Sequence, residues 1–229
     1  MKILAIDTSA VAASAAISDN GKIISEFYVN VGLQHSRTLM SMVESMINCT
    51  DIKLSDIDLF AVSRGPGSFT GIRIGVSAIK GMAVVDETPV IGVSTLEALA
   101  ENVSVYKGII CSVMDARCSQ VYNALFESNG KNITRLCEDR AISTESLRDE
   151  LKNIKKSVIF VGDGAEMCYN NLKNSLSDIY IAPEEIRFQR AGSVAAVARR
   201  KFEAGKKQTA DELIPFYLRP PQAVRNLKK

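Results

Sequence analysis

Histidine and tryptophan are scarce in this sequence of 229 residues, which has no tryptophan and one histidine, His35. A metal site built on histidines, or a catalytic Ser–His–Asp triad, would depend on that one residue. Leu39 stands four residues later, where a second helical ligand would be expected. We therefore predict that His35 lies at the start of a helix and that the chain holds no metal.

Long apolar runs are also missing. The run at residues 3–6 is stopped by Asp7, far short of a signal-peptide core or a membrane-spanning helix. Hydrophobic residues make up 46% of the chain and charged residues 24%, as in ordinary globular proteins. We predict a cytoplasmic protein that makes no contact with a membrane.

The cysteines do not form the C-x-x-C pair of a zinc site or a redox dithiol. Their odd number also argues against a disulfide framework. We expect reduced thiols in or near the core, at Cys49, Cys111, Cys118, Cys137 and Cys168.

Neither sign of charge is in excess, because 28 Lys and Arg stand against 26 Asp and Glu and give a net charge of +2. This balance provides no general field for binding nucleic acid. A basic patch would have to be local, and the candidate is residues 219–229, with Arg219, Arg225, Lys228 and Lys229. A solvated tail and a nucleic-acid contact are the two interpretations of this segment.

Alternating apolar runs and turn signals predict three antiparallel strands at the start of the chain, with a hairpin at Asp19-Asn20-Gly21. Residues 34–49 then have the apolar spacing of a helix. A buried strand at 58–63, a helix at 74–85, a strand at 89–93 and a helix capped by Ser94 or Thr95 follow. The predicted order is β-β-β-α-β-α-β-α.

The same pattern restarts near Tyr106, where a buried strand ends in Asp115 as the first strand ends in Asp7. A third strand at 133–140, a helix at 143–152, a strand at 157–162 and helices at 166–172 and 191–204 follow, the last ended by Gly205. We interpret this as two β-β-β-α-β-α units, 1–104 and 105–229, with the final dozen residues able to pack back on the first unit.

The densest motif is RGPGSFTGIRIG at 64–75, between a predicted strand and a predicted helix. Glycines allow close backbone approach, and a helix N-terminus beside hydroxyl groups favours an anion. The motif is neither a Walker A loop nor a G-x-G-x-x-G fingerprint. It predicts a degenerate nucleotide- or anion-binding site formed by Asp7, Thr8, Gly65, Gly67, Ser68, Thr70, Arg73 and Asp115.

A Mg-nucleotide enzyme of this architecture would use Asp7 and Asp115 to hold metal and phosphates. The glycine that usually follows such an aspartate is missing, since Thr8 and Ala116 follow here. Arg117, close to Asp115, indicates a salt-bridged turn instead. Gly162-Asp163-Gly164 is a weaker signal, for a loop beneath an adenine or for a simple turn.

Two predicted helices carry a stripe of small and apolar residues, which can be interpreted in two ways. Gly71 and Gly75 lie four apart, which is typical of a helix packed closely against a neighbour, and Met40, Met42 and Met46 offer an adaptable apolar surface. The stripe is either ordinary core or a partner-binding surface. The partner-binding candidates are Leu39, Met42, Val43, Met46, Gly71, Ile72, Gly75, Val76 and Ile79.

The sequence resembles the TsaB (YeaZ) family in ILAIDTS, GPGSFTGIRIG, MDAR with a following VY, GDG and PFYLRPP, which occur in this order over essentially the whole chain. The resemblance implies the actin-like fold of sugar kinases and Hsp70 proteins (ASKHA, ribonuclease H-like), an α/β fold of two subdomains.

The resemblance also implies an accessory, non-catalytic subunit in the formation of N6-threonylcarbamoyladenosine beside the anticodon of tRNAs that read codons beginning with A. Its expected partners are a TsaD-like catalytic subunit and a TsaE-like ATPase, with tRNA reached through the complex and a homodimer when the chain is alone. No cofactor is expected to be required, and ATP or ADP would bind at the partner interface.

The family contact is a bundle of the first two helices of the N-terminal half, here 35–49 and 71–85, where the partner-binding candidates lie. The catalytic paralogue binds its metal through a histidine pair, which a chain with His35 alone cannot reproduce. No residue of this chain is therefore expected to be catalytic.

Three alternatives remain beside the accessory role. A small kinase or nucleotide hydrolase of the same fold would use Asp7, the glycine loop and Asp115 around Mg-ATP. A peptidase, a label that the wider family has carried, would need a nucleophile–base pair that the sequence does not offer. Direct tRNA binding by residues 219–229 would show a steep salt dependence.

Overall fold

The computed structural model describes residues 1–32, 34–117 and 119–219. Its architecture is built from two mixed β-sheets with helices on both faces of each.

The first sheet has the strand order β3-β2-β1-β4-β5. The first three strands form an antiparallel meander, and β4 and β5 run parallel to β1. The predicted hairpin is confirmed, because Asn20 and Gly21 have φ angles of 49° and 85°, as a tight β-turn between twisted strands requires. The strands are β1 Lys2–Asp7, β2 Ala13–Asp19, β3 Lys22–Val29, β4 Leu59–Gly65 and β5 Val90–Ser94.

The helices of the first half are α1 His35–Thr50, α2 Phe69–Ala83 and α3 Thr95–Asn102. The first two cover one face of the first sheet. The predicted cap of α3 is confirmed, since the Ser94 hydroxyl accepts a hydrogen bond from the Glu97 amide at 3.2 Å. His35 begins α1, as predicted.

The second sheet repeats the same plan in the order β11-β10-β6-β7-β8, with β9 also pairing with β7. Its strands are β6 Lys107–Asp115, β7 Gln120–Asn129, β8 Ile133–Arg135, β9 Arg140–Ser143, β10 Val158–Val161 and β11 Ile179–Ile181. The helices of this part of the chain are α4 Thr144–Leu151, α5 Ala165–Leu172, α6 Glu184–Arg187 and α7 Ala191–Glu203. The shared order of the two sheets confirms the duplicated fold.

The prediction of one strand at 133–140 was wrong, because the chain there forms two short strands. The Leu136 amide still donates to the Leu125 carbonyl at 2.8 Å, but the Leu125 amide donates to the Cys137 thiol at 3.2 Å instead of to a backbone carbonyl. Both strands pair with β7, on different stretches of it. β11 and α6 were not predicted from the sequence, because each is too short to show the apolar periodicity of a strand or a helix.

The two halves are joined by α3, which contacts both sheets, and by α7, which packs on the first sheet. The apolar side of α3 lies in the core of the second sheet, with Leu96, Leu99 and Val103 against Ile110. The apolar side of α7 covers the face of the first sheet opposite α1 and α2. The division into 1–104 and 105–229 stays a prediction, and α7 and Leu213 are parts of the second range that lie in first-half cores.

The described cysteines are free thiols. Cys111 and Cys168 are buried, and burial raises the pKa of both thiols. Cys49 is exposed on α1, contrary to expectation, and Cys118 lies outside the described residues. None of the described helices has the length and apolarity needed to cross a membrane.

Candidate functional site

A cleft of about 570 Å³ lies where the two halves meet. The turn after β1, the loop before α2, the ends of β6 and β10, and the chain after α7 all contribute to it. Its lining residues are Ser9, Ala10, Val11, Gly67, Ser68, Phe69, Thr70, Met114, Asp115, Ala116, Arg117, Tyr122, Asp163, Tyr217, Leu218 and Arg219.

Asp7 does not line this cleft, because its carboxylate is fully buried and turned into the protein. It accepts hydrogen bonds from the Ser9 amide at 2.9 Å, the Ser9 hydroxyl at 2.6 Å and the Ser63 hydroxyl at 2.5 Å. Burial raises the pKa of Asp7, and the bonds from Ser63 and Ser9 act in the opposite direction. The carboxylate therefore ties β1 to β4 and offers no oxygen to a metal in the cleft.

The glycine loop is used for close packing inside the protein. A Cβ atom on Gly65 would overlap the carbonyl oxygen of Phe216, and one on Gly67 would overlap that of Ser9. The Ser68 hydroxyl caps α2 by accepting from the Gly71 amide at 3.2 Å. These contacts explain the glycines without an anion, and the predicted anion site itself stays untested.

The residues predicted for that anion site are divided by the structure. Four of them line the cleft: Gly67, Ser68, Thr70 and Asp115. Thr8 is buried behind the loop and donates to the Gly71 carbonyl at 2.7 Å, while Arg73 faces a separate groove on α2. The tertiary structure therefore does not bring the eight residues together around one ligand position.

Two aspartates stand on the second-half wall of the cleft. Asp115 accepts a hydrogen bond from the Arg117 amide at 2.7 Å, and Arg117 has a φ of 62°. Asp163 accepts from the Gln189 side chain at 2.9 Å. Burial, with a smaller contribution from the charge of Asp115, raises the pKa of Asp163 to about 6, against the hydrogen bond from Gln189.

This raised pKa predicts a pH-dependent stability that Asp163→Asn removes. Between about pH 4 and 6 the folded chain holds a proton on Asp163 that the unfolded chain releases, so the free energy of unfolding falls as the pH rises. The unfolding free energy of Asp163→Asn, relative to that of the wild type, should rise by about 1–3 kcal/mol from pH 4 to 7. Urea unfolding across that range measures it.

Asp149→Asn is the matched control, because Asp149 is exposed and its hydrogen bond from Arg148 lowers the pKa of its carboxyl group. Its difference from the wild type should not rise over the same pH range. A flat difference for Asp163→Asn would contradict the raised pKa.

The chain after α7 crosses from the first half to the edge of the second. Leu213 is fully buried in the core beneath α2, and the Phe216 amide donates to the Arg64 carbonyl at 2.7 Å. Arg219 donates to the Ala116 carbonyl at 2.9 Å. The basic tail predicted at 219–229 otherwise lies outside the described residues.

The residues predicted to bind a partner lie inside the first half. Leu39, Met42, Val43, Met46, Ile72, Val76 and Ile79 are at most 5% exposed and form one core with the first sheet. Gly71 and Gly75 face inward, where Cβ atoms would meet Thr8. The neighbour that these glycines pack against is thus the β1–β2 turn, and the partner-binding prediction stays untested.

The outward sides of the same two helices form the surface that we call the helix face: Arg37 and Met40 of α1, and Thr70, Arg73, Ile74, Ser77, Gly81, Val84 and Val85 of α2 and its end. Met40 is 49% exposed, Val84 62% and Val85 76%. A Cβ atom on Gly81 would meet nothing within 4 Å. Most of this face was not predicted from the sequence, although its residues lie on the side of each helix opposite the apolar stripe.

Comparison with known proteins agrees with this geometry. The family model described as "TsaD: tRNA N6-adenosine threonylcarbamoyltransferase" matches residues 30–227. The tRNA threonylcarbamoyladenosine biosynthesis protein TsaB of Escherichia coli (strain K12) is 30% identical over 230 residues, covering 99% of this chain and 98% of that protein.

Solved structures show the same fold. YeaZ from Pseudomonas aeruginosa has a TM-score of 0.79 at 22% sequence identity and covers 95% of this chain and 99% of its own. Component A of the (R)-2-hydroxyglutaryl-CoA dehydratase of Acidaminococcus fermentans has a TM-score of 0.52 at 14% identity, over 90% of this chain and 100% of its own, and supports the actin-like class. The chain therefore belongs to the TsaD family, among its TsaB (YeaZ) members.

Proposed function

We propose that this chain is a cytoplasmic accessory subunit in the formation of N6-threonylcarbamoyladenosine in tRNA, and that it binds and supports a TsaD-like catalytic subunit. The observation that carries the proposal is the helix face, where exposed apolar side chains lie beside a glycine that has no internal packing role. Small residues let two helical surfaces approach closely, and adjacent apolar side chains stabilise the contact.

The geometry around the cleft supports an accessory role rather than the activity of a small kinase or hydrolase. The carboxylate of Asp7 has donors on both oxygens and lies behind the cleft wall. Metal binding by Asp7 would have to break these buried bonds, each of which costs free energy when it is lost. A TsaE-like ATPase, tRNA reached through the complex and a homodimer of the free chain are part of the same proposal.

Two substitutions on the helix face test the proposal without touching the core. Met40→Glu puts a charge on the exposed side of α1. Gly81→Arg blocks close approach and places a cation in the last turn of α2, where the helix dipole tolerates it. Each should weaken binding to a purified TsaD-like subunit by ~30-fold or more, as loss of an interface hot spot does.

Size exclusion with light scattering and calorimetric titration measure the association. Leu136→Glu is the matched control, because Leu136 is 48% exposed but lies on the second half. It should bind as the wild type does. Equal loss in all three variants, or no association of the wild type at micromolar concentration, would contradict the proposal.

A further inference from the structure

Several arginines of the described residues form ion pairs with carboxylates: Arg135, Arg140, Arg148, Arg187, Arg190, Arg199 and Arg200. Arg37 and Arg73, both on the helix face, form no ion pair with any described carboxylate. Exposed arginines are often unpaired, so the pairing alone decides nothing. The geometry of Arg73 is what indicates a binding role.

The guanidinium of Arg73 is held in place by two aromatic residues. Its Cζ lies 3.8 Å from the centre of the Phe69 ring, and its Nε donates to the Tyr217 hydroxyl at 3.1 Å. The two rings stack on each other with their centroids 4.6 Å apart. Because Tyr217 comes from the far end of the chain, the tertiary structure sets the orientation of this side chain. A partner that binds it meets a group whose conformational entropy is already restricted.

The orientation leaves the outer part of the guanidinium free. Nε is occupied by Tyr217, and the terminal Nη groups make no hydrogen bond to the residues that the structure describes. These groups form a planar fork whose spacing matches the two oxygens of a carboxylate. The arrangement is that of one half of a bidentate ion pair.

The fork opens onto a groove of about 380 Å³ on the outer side of α2, lined by Phe69, Thr70, Arg73, Ile74 and Ser77. Arg73, Ser77 and Gly81 stand four residues apart in turn, so they follow one line along the helix. A helix lying over Ser77 and Gly81 would therefore present its side chains to the fork.

We propose that Arg73 receives an aspartate or glutamate side chain of the protein that docks on the helix face, with an apolar neighbour of that residue in the groove. This inference rests on the proposed function and adds the chemistry of its partner. Charge complementarity selects the occupant, because an oriented cation beside the groove favours a partner that is acidic there.

The test measures the affinity of the full chain for a purified TsaD-like subunit by calorimetry, at low and at high salt. Arg73→Met keeps much of the side-chain length and removes the charge, and it should weaken binding about 10- to 100-fold, as loss of a charged hydrogen bond does. It should also reduce the salt dependence of the affinity. Arg73→Lys should bind with intermediate affinity, because it keeps the charge and loses the fork.

Tyr217→Phe separates positioning from charge, since it removes only the hydroxyl that orients the guanidinium. It should weaken binding several-fold while leaving the salt dependence unchanged. Arg148→Met, on α4 of the second half, is the matched control and should bind as the wild type does. Circular dichroism and thermal melting check that each variant is folded.

Results other than those expected would overturn the inference, and each of them has a different meaning. Wild-type affinity in a folded Arg73→Met variant removes the carboxylate contact and leaves the proposed function standing. Failure of the wild type to bind removes both. Self-association of the chain that depends on Arg73, without an effect on the TsaD-like subunit, would assign the fork to a second copy. Binding of inorganic phosphate lost in Arg73→Met, with partner affinity unchanged, would assign it to a small anion.

Discussion

Replacement of Met46 by glutamate should lower the free energy of unfolding by about 4 kcal/mol or more. Met46 is 0% exposed, in the core that α1 and α2 form with the first sheet. A carboxylate there would be buried among apolar side chains, which costs several kcal/mol whether it stays charged or takes up a proton. Because domains of this size are stable by only about 5–15 kcal/mol, a loss of about 4 kcal/mol removes between a quarter and most of that stability.

Met40→Glu is the matched control for this prediction, since it makes the same change on the same helix at a side chain that is 49% exposed. Its free energy of unfolding should stay within about 0.5 kcal/mol of the wild type. Far-UV circular dichroism with urea unfolding measures both variants. If Met46→Glu melted like the wild type, α1 would not pack as described.

This pair also decides how loss of partner binding is interpreted. A charged residue at position 46 would weaken association by destabilising the first half, whatever the interface is. A charged residue at position 40 changes the helix face of a folded chain.

Replacement of Gly71 by alanine should lower the free energy of unfolding by about 2 kcal/mol. The new Cβ would overlap the carbonyl oxygen of Thr8, a backbone atom that cannot swing aside. Thr8 is also held to this turn of α2 by the hydrogen bond from its hydroxyl to the Gly71 carbonyl at 2.7 Å. Overpacking in such a place typically costs 1–3 kcal/mol or more, and outweighs the gain in helix propensity of about 1 kcal/mol.

Gly81→Ala makes the same substitution on the same helix, where the new Cβ meets no atom within 4 Å. Only the propensity gain remains there, so the free energy of unfolding should rise by up to about 1 kcal/mol. Urea unfolding with an unchanged m-value measures the two effects. Equal effects at positions 71 and 81 would mean that α2 does not lie against the β1–β2 turn.

Local signals in the sequence were sufficient where the physical cause is local. The hairpin at Asn20 and Gly21 follows from residues that accept positive φ, and the start of α3 follows from the hydroxyl of Ser94. The strand at 133–140 was predicted wrongly because its interruption depends on β7, a distant partner in the sheet.

The candidate site shows the same limit. The motif at 64–75 indicated close backbone approach, and the structure confirms it, but the atoms that approach Gly65 and Gly67 belong to Phe216 and Ser9. The sequence contains no local sign that Asp7 would be closed off by Ser63, which stands in another strand. Whether an aspartate at a strand end faces a cleft or the interior depends on such contacts.

The sequence by itself determined the duplication, the order of strands and helices along each repeated unit, and the helices that carry the partner-binding proposal. These depend on period, turn residues and caps along short stretches of chain. Only the tertiary structure decided which side of α1 and α2 is core and which is surface, and which chain segments orient Arg73. An apolar period shows that a helix has two sides, but long-range packing, here with the first sheet and with Tyr217, determines what each side contacts.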